Sequence, residues 1–129
     1  MKITETLNNT LNYSKDQEGD KHHKAEFYLK DSNITVKVHL MHTRTDFVDV
    51  KFGAIGEDVE IPENVGESFM IFATISQILT DHVEKHDIRL LGMTPSTRKR
   101  GDIFEKILER TFKDWNVERD ASFVLAYKK

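Results

Sequence analysis

Apolar and polar side chains alternate from Asn33 to Leu40 within residues 33–41, NITVKVHLM. One face of the segment carries four apolar side chains, those of Ile34, Val36, Val38 and Leu40. The other face carries the polar side chains of Thr35, Lys37 and His39. A period of two predicts a β-strand with one buried face and one face in water.

The segments on both sides repeat this alternation. Residues 25–30, AEFYLK, precede the turn signal Asp31-Ser32, so we expect them to pair with residues 33–41 as a hairpin. Residues 46–55, DFVDVKFGAI, turn Asp49 and Lys51 outward and four other side chains inward, those of Val48, Val50, Phe52 and Ala54. The sequence therefore predicts a three-stranded antiparallel meander.

The period becomes helical after the meander. Residues 66–86 carry an apolar stripe of Phe69, Phe72, Ile75, Leu79 and Val83, widened by Ile71 and Ile78. Residues 87–93, DIRLLGM, predict a short buried strand. A second helix is predicted from the spacing of Ile103, Phe104, Ile107, Leu108, Phe112 and Trp115, and residues 121–129 predict a closing strand. The expected fold is α+β, with an antiparallel meander followed by α-β-α-β, in a mixed sheet with two packed helices.

The N-terminal segment predicts no part of this sheet. Ile3, Leu7 and Leu11 recur every four residues and predict a short helix. The following residues, SKDQEGDKHHK, offer nothing to bury and are interpreted as a polar connector. The 129 residues therefore divide into a helix and connector over 1–24 and a single α+β domain over 25–129.

The composition excludes several classes of function. No cysteine is present, which excludes disulfides, thiolate catalysis and zinc–thiolate sites. A net charge of -3 gives no general attraction to nucleic acid. No segment has the apolar length of a signal peptide or a membrane span, so a cytoplasmic protein is expected. No nucleophile motif, phosphate loop or interpretable carboxylate pair occurs, and no catalytic residue is predicted.

Three consecutive cations, Arg98, Lys99 and Arg100, are candidates for contact with an anion or with a partner. Two helix starts compete at this point. Asp102 with Glu105 has the form of a capping box, which would leave the cations in a solvated loop. A cap at Ser96 or Thr97 would instead place them in the first helical turn, where cations oppose the helix dipole. The solvated loop is the preferred interpretation.

Five carboxylates near the start of the first helix form a candidate acidic patch for a partner: Glu57, Asp58, Glu60, Glu63 and Glu67. The simpler interpretation is a solvated loop whose acids favour a helix N-terminus.

His82 and His86 lie four residues apart on the first helix, a spacing that can bind a metal ion on one face. The order HVEKH is not that of zinc proteases, and no third ligand is evident, although His39 and His42 stay open as candidates. A polar helix end is the preferred interpretation, so no metal ion is predicted. His22 and His23 are assigned to the connector.

A short pattern, Gly-acidic-x-Phe-x-x-Phe-x-Thr, occurs at Gly66, Glu67, Phe69, Phe72 and Thr74, with Ala73 between the last two. A strand follows, then Arg100 four residues before Phe104, then Arg110, and a closing Phe-x-Leu strand. Over residues 25–129 the chain resembles a group of small, uncharacterised bacteriophage proteins with this pattern.

The element order is also similar to the core of the general N-acetyltransferase (GNAT) superfamily. That resemblance implies a cleft for acetyl-CoA between two splayed central strands, with its pyrophosphate at the start of the helix after the meander. This chain departs from the family pattern at two places. Residues 57–67 contain the five carboxylates, no Lys or Arg, and Gly66 as their one glycine. Phe104 stands where many of these enzymes use a tyrosine as general acid.

The expected function is therefore binding without catalysis. We expect a degenerate acetyltransferase-like phage protein that binds a host or phage protein in the cytoplasm of the infected bacterium and uses no cofactor. The alternative is an active N-acetyltransferase that uses acetyl-CoA and holds its phosphates with Arg98, Lys99 and Arg100. A third possibility is a local nucleic-acid contact through the same cations.

Overall fold

The computed structural model describes residues 10–30, 32–55, 65–95 and 97–129. Within these ranges the chain forms seven strands and two helices. In chain order they are β1 (Ser14–Gln17), β2 (His22–Leu29), β3 (Ile34–Arg44), β4 (Phe47–Ile55), α1 (Val65–His86), β5 (Leu90–Met93), α2 (Arg98–Thr111), β6 (Trp115–Arg119) and β7 (Val124–Lys128).

The seven strands form one mixed sheet in the order β1-β2-β3-β4-β5-β7-β6. The predicted meander is confirmed, because β2, β3 and β4 pair antiparallel in succession. The central pair, β4 and β5, is parallel and short. It comprises three residue pairs and ends at Asp49 opposite Gly92. The α+β class and the mixed sheet with two helices are therefore confirmed.

Both helices cover the same face of the sheet. Ala25 pairs with Val38, and Val38 pairs with Phe52, so the inward side chains of the meander share one face. These side chains are almost completely buried. The ring of Phe104 on α2 lies 6.2 Å from that of Phe52, and α1 contacts α2 through Ser76 and Thr111. On the opposite face of the meander Tyr28 and Met41 are exposed.

The predicted connector is wrong, because it contains β1 and the first residues of β2. β1 is an edge strand of exposed and half-buried residues, and its backbone is satisfied by pairing with β2, Lys15 opposite Ala25. Such a strand has no apolar alternation, so its sequence gives no period to detect. The predicted helix falls mostly on residues 1–9, which lie outside the described residues, as does Asp31 of the predicted turn.

The second helix ends earlier than its apolar spacing predicts. Phe112 is the C-terminal cap, with φ of -116° and ψ of 67°, and Trp115 begins β6 instead of extending α2. The two rings still stack at 4.7 Å between centroids. The three-residue spacing of these aromatics fits a helix, yet it also fits a tight turn that returns the chain to the sheet.

The buried stripe of α1 is rotated from the predicted one. Phe69, predicted to face inward, is 56% exposed, whereas Ile71, Ile75 and Ile78 are fully buried. Their spacing of four and three residues points the stripe at the sheet, and the next residue in that series is His82. His82 is also fully buried.

Two substitutions on α1 separate these alternatives. We expect Ile75→Ala to lower the free energy of unfolding by about 2–5 kcal/mol, because it leaves a cavity under the sheet. Phe69→Ala should change it by less than about 0.5 kcal/mol. Urea unfolding followed by circular dichroism measures both, and a larger loss from Phe69→Ala would contradict the observed stripe.

Candidate metal centre

Four of the six histidines meet on the helix-covered face of the sheet, at one end of α1. The strands supply His23 and His42. His23 continues the inward series of Ala25 and Phe27 on β2. His42 continues the inward series of β3, two residues beyond Leu40, and Leu40 pairs directly with His23. The alternation that builds the core therefore also turns both imidazoles inward.

Helix α1 supplies the other two histidines, His82 and His86. His82 lies four residues beyond Ile78, in the centre of the buried stripe, and His86 lies one further turn along. Residues four apart lie on the same face of a helix. Both rings therefore point at the strand ends that carry His23 and His42.

The four rings are close to equidistant. The six distances between ring centroids run from 4.3 Å, between His82 and His86, to 5.3 Å, between His42 and His86. Nitrogen atoms of His23, His42 and His82 also lie within 4.8 Å of one another. Zinc–imidazole bonds of about 2.0–2.1 Å place a ring centre about 3.2 Å from the ion, so a tetrahedron of four rings has centroids about 5 Å apart. The observed centroid spacing is close to that geometry, whereas the nitrogen atoms that lie within 4.8 Å of one another belong to three of the four rings.

Two ring nitrogens of this cluster have no hydrogen-bond partner among the described residues. They are Nδ1 of His82 and Nε2 of His86, and both are buried. An unsatisfied buried polar atom costs about 1–3 kcal/mol. Nε2 of His82 does have a partner, because it lies 2.7 Å from Nε2 of His42. Nitrogens on one tetrahedral zinc are about 3.3 Å apart. Joint coordination through these two atoms therefore requires them to move apart by roughly half an ångström.

The imidazoles are held in the form that binds metal ions. Burial lowers the pKa of His82 to about 2, with the positive charge of Lys15 as a further cause. Burial is also the largest cause that lowers the pKa of His23, His42 and His86. Neutral imidazole has a free lone pair and is a common metal ligand. At neutral pH the cluster therefore offers several uncharged nitrogen donors.

Polar side chains from β1, from the residue before it and from α1 border the cluster. Lys15 lies on the same face as His23, because Lys15 pairs with Ala25 and Gln17 pairs with His23. The hydroxyl of Tyr13 donates a short hydrogen bond to the carboxylate of Asp81. Burial and this bond raise the pKa of Tyr13 to about 12. The phenol is therefore protonated at neutral pH and stays a donor.

The remaining two histidines lie on the opposite face of the sheet. Nε2 of His22 and Nδ1 of His39 are 2.9 Å apart, across β2 and β3. His39 was open as a third ligand for His82 and His86, but the sheet separates it from them. His42, the other open candidate, joins them.

His23 is the ligand that the sequence analysis missed, because it was assigned to the connector. A usable signal was present. His23, His42 and His82 each extend an inward apolar series, so each predicts a buried imidazole. That these three imidazoles meet was not predictable from separate periodicities.

The structure places the three cations in the first turn of α2, so the solvated-loop interpretation is wrong. Thr97 is the cap, and its hydroxyl accepts a hydrogen bond of 3.2 Å from the backbone N–H of Arg100. Asp102 and Glu105 do not form a capping box, because both bind the guanidinium of Arg119. Ser96, the other possible cap, lies outside the described residues.

The acidic patch lies largely outside the described residues. This applies to Glu57, Asp58, Glu60 and Glu63, and to the side chain of Glu67, whose backbone lies in the first turn of α1. Phe104 is fully buried and packs on Phe52.

Within the part of the chain that the structure describes, no helix combines the length and apolar character needed to cross a membrane.

We expect the metal-free protein to lose stability as the pH falls from 7.5 to 5. The pKa of His82 is lowered in the folded state, so the unfolded state binds more protons below an ordinary histidine pKa of about 6.5. Urea unfolding in the presence of a chelator measures this. His82→Leu should reduce the pH dependence, and equal pH dependence in the two proteins would contradict a buried neutral His82.

No protein-family model matches the chain, and no curated protein matches it significantly. The geometry of the four histidines is therefore the main guide to function.

Proposed function

We propose that this protein binds one divalent transition-metal ion, with zinc as the best fit, through His23, His42, His82 and His86. One observation carries the proposal. Four imidazoles are packed with centroids 4.3–5.3 Å apart, around buried nitrogens that have no hydrogen-bond partner in the described structure. A bound ion would complete the coordination that these nitrogens lack.

The donor set selects among metal ions. Imidazole nitrogens suit Zn²⁺, Co²⁺, Ni²⁺ and Cu²⁺, whereas Mg²⁺ and Ca²⁺ require oxygen ligands. The near-tetrahedral spacing of the rings favours Zn²⁺ and Co²⁺ over ions that prefer square-planar geometry. The absence of cysteine leaves no thiolate to shift this preference.

The position of the site gives the ion a mechanical role. His23 and His42 belong to neighbouring strands, and His82 and His86 belong to the last turns of α1. An ion that binds all four would join the sheet to the helix. Without the ion, two buried ring nitrogens at this contact, Nδ1 of His82 and Nε2 of His86, have no hydrogen-bond partner in the described structure. Because the unfolded chain does not present such a site, binding free energy would appear as folding free energy.

Zinc should raise the melting temperature of the metal-free protein. At a free concentration about 100-fold above Kd, one site stabilises the folded state by about 2.7 kcal/mol, which corresponds to roughly 10 °C for a chain of this size. Differential scanning fluorimetry with Zn²⁺, Co²⁺ and Mg²⁺ measures the effect. A rise with Zn²⁺ and Co²⁺ but not with Mg²⁺ is the expected result.

Matched variants locate the ion. His82→Leu keeps the position buried and removes a ligand, so we expect it to abolish most of the zinc response. His39→Gln removes an imidazole from the opposite face of the sheet and should leave that response unchanged. The assignment is contradicted if His39→Gln abolishes the response, or if zinc has no effect on the unmodified protein.

A second candidate function is supported by the short pairing of β4 and β5. The pair ends at Asp49, although β4 continues to Ile55, because β5 ends at Met93, so β4 has no ladder partner on that side beyond Asp49. This supports the acetyltransferase-like frame that the element order implies. As a second proposal, the protein is a degenerate acetyltransferase-like phage protein that binds a host or phage protein without catalysis. Phe104 is buried against Phe52 and has no proton to donate.

The active alternative draws on Arg100. A Cβ atom at Gly53 would lie 3.4 Å from Nη2 of Arg100, so this guanidinium rests on β4 beyond its last pair with β5. A cation at this part of β4 would favour contact with the phosphates of an acyl-CoA. Such contact is the alternative role of Arg98, Lys99 and Arg100.

Acetyl-CoA distinguishes these roles. We expect no rise in melting temperature and no acetyl group added to any co-incubated peptide, as mass spectrometry would detect. A rise that the double substitution Arg98→Glu, Arg100→Glu abolishes, while Lys106→Glu on the exposed side of α2 preserves it, would establish cofactor binding instead. Oligonucleotide binding that weakens steeply with salt would support the nucleic-acid role.

A further inference from the structure

The proposed metal centre has no negatively charged ligand, and this affects what else can bind there. Four neutral imidazoles leave the full charge of a divalent ion uncompensated. Among the described residues, the ammonium groups of Lys15 and Lys85 act on these imidazoles and help to lower their pKa. Both are cations. A buried dication beside two ammonium groups carries a large desolvation and repulsion cost.

The carboxylate of Asp81 is already engaged. Asp81 lies one residue before His82 and accepts hydrogen bonds from the hydroxyl of Tyr13 and from the side-chain amide of Gln77. It acts on Lys15, whose pKa it raises, but burial and Lys85 lower that pKa. One carboxylate cannot neutralise a divalent ion and two ammonium groups together. A further anion would offset the remaining positive charge.

The cluster has one side from which such an anion could reach the ion. His82 is fully buried and His23 is 8% exposed, so the sheet and helix close the site behind them. His42 and His86 are partly exposed. Lys15 is half-buried on the edge strand β1, diagonal to His23 on the same face. An anion at the accessible side could therefore contact both the metal ion and the ammonium of Lys15.

The ligand count leaves room for this anion. Nitrogens of three histidines, His23, His42 and His82, lie within 4.8 Å of one another. The nitrogens of His86 lie outside this group, so an ion held by the other three keeps a fourth position that either His86 or an anion can occupy.

We propose that the metal centre binds a small oxyanion, a carboxylate or a phosphate, as an additional ligand, with Lys15 as its counter-ion. This inference depends on the proposed metal binding. The anion donates an oxygen lone pair to the ion and accepts a hydrogen bond from the ammonium of Lys15. No covalent bond of the anion is broken. The ligand class is therefore an acidic group, presented free or on a larger molecule.

The Co²⁺-substituted protein tests the inference, because the visible spectrum of Co²⁺ reports its coordination number. Acetate and inorganic phosphate are titrated separately at fixed pH and constant ionic strength. We expect at least one of them to change the spectrum saturably. Lys15→Gln should weaken that binding on the order of tenfold, whereas Lys15→Arg should retain it. Lys106→Gln, which removes an exposed cation from α2, is the matched control.

The outcomes separate this inference from the proposed function. If Co²⁺ produces no protein-dependent spectrum, metal binding itself is wrong. If Co²⁺ binds but neither anion changes its spectrum, the metal site stands and the anion site is wrong. Equal anion affinity in Lys15→Gln and in the unmodified protein, with both folded by circular dichroism, overturns the role of Lys15. A response confined to acetate or to phosphate supports the inference and identifies the preferred acidic group.

Discussion

The register between β2 and β3 aligns the inward side chains of the two strands on one face of the sheet. Ala25 faces Val38 and Phe27 faces Val36, so the apolar sides of the two strands coincide. A slip of one residue would move one of these sets to the water-facing side and destroy the surface on which both helices pack. The same register carries His23 and His42 inward. The core of the meander and the inward positions of these two imidazoles are thus consequences of one alignment.

The imidazole cluster is unfavourable as part of a core. An apolar side chain of similar volume at position 82 would fill the same space without an unsatisfied nitrogen or a lowered pKa, and such replacements often stabilise proteins. A local violation of packing rules is typical of functional sites. The cost falls on the folded state in the absence of a ligand and is removed when the nitrogens acquire one. This is the physical reason for assigning function to the cluster. The cations of α2 show no comparable cost, because they lie in a regular helix whose first turn is capped by Thr97.

The sequence predicted most of the sheet and both helices, because those segments bury one face and show it as a period. It did not predict β1, whose side chains are polar and whose stability comes from backbone pairing with β2. It could not place Trp115, since a spacing of three residues after Phe112 suits a helix and a turn equally. The start of α2 stayed open because two valid caps compete. Arg119, seventeen residues beyond Asp102, binds that carboxylate, so Asp102 does not cap the helix and Thr97 does.

The candidate site was only partly predictable, for a related reason. Each histidine occupies a readable position in a local pattern, and His82 with His86 shows a metal-compatible spacing. Their meeting with His42 depends on a contact forty residues apart in the chain, which no local period encodes. The orientation of His39 away from the site depends on strand parity, which does follow from the sequence.

The parallel pairing of β4 with β5, with three residue pairs, is the shortest ladder of the sheet. Strands β1 to β4 are joined by extensive ladders, as are β5 to β7, and three residue pairs connect the two groups. The four histidines belong to the first group and to the helix above it. Free energy from a bound ligand at that end would enter the first group directly and reach the second through α1 and its contact with α2. A bound ligand would therefore raise the free energy of local unfolding more for strands β1 to β4 than for strands β5 to β7.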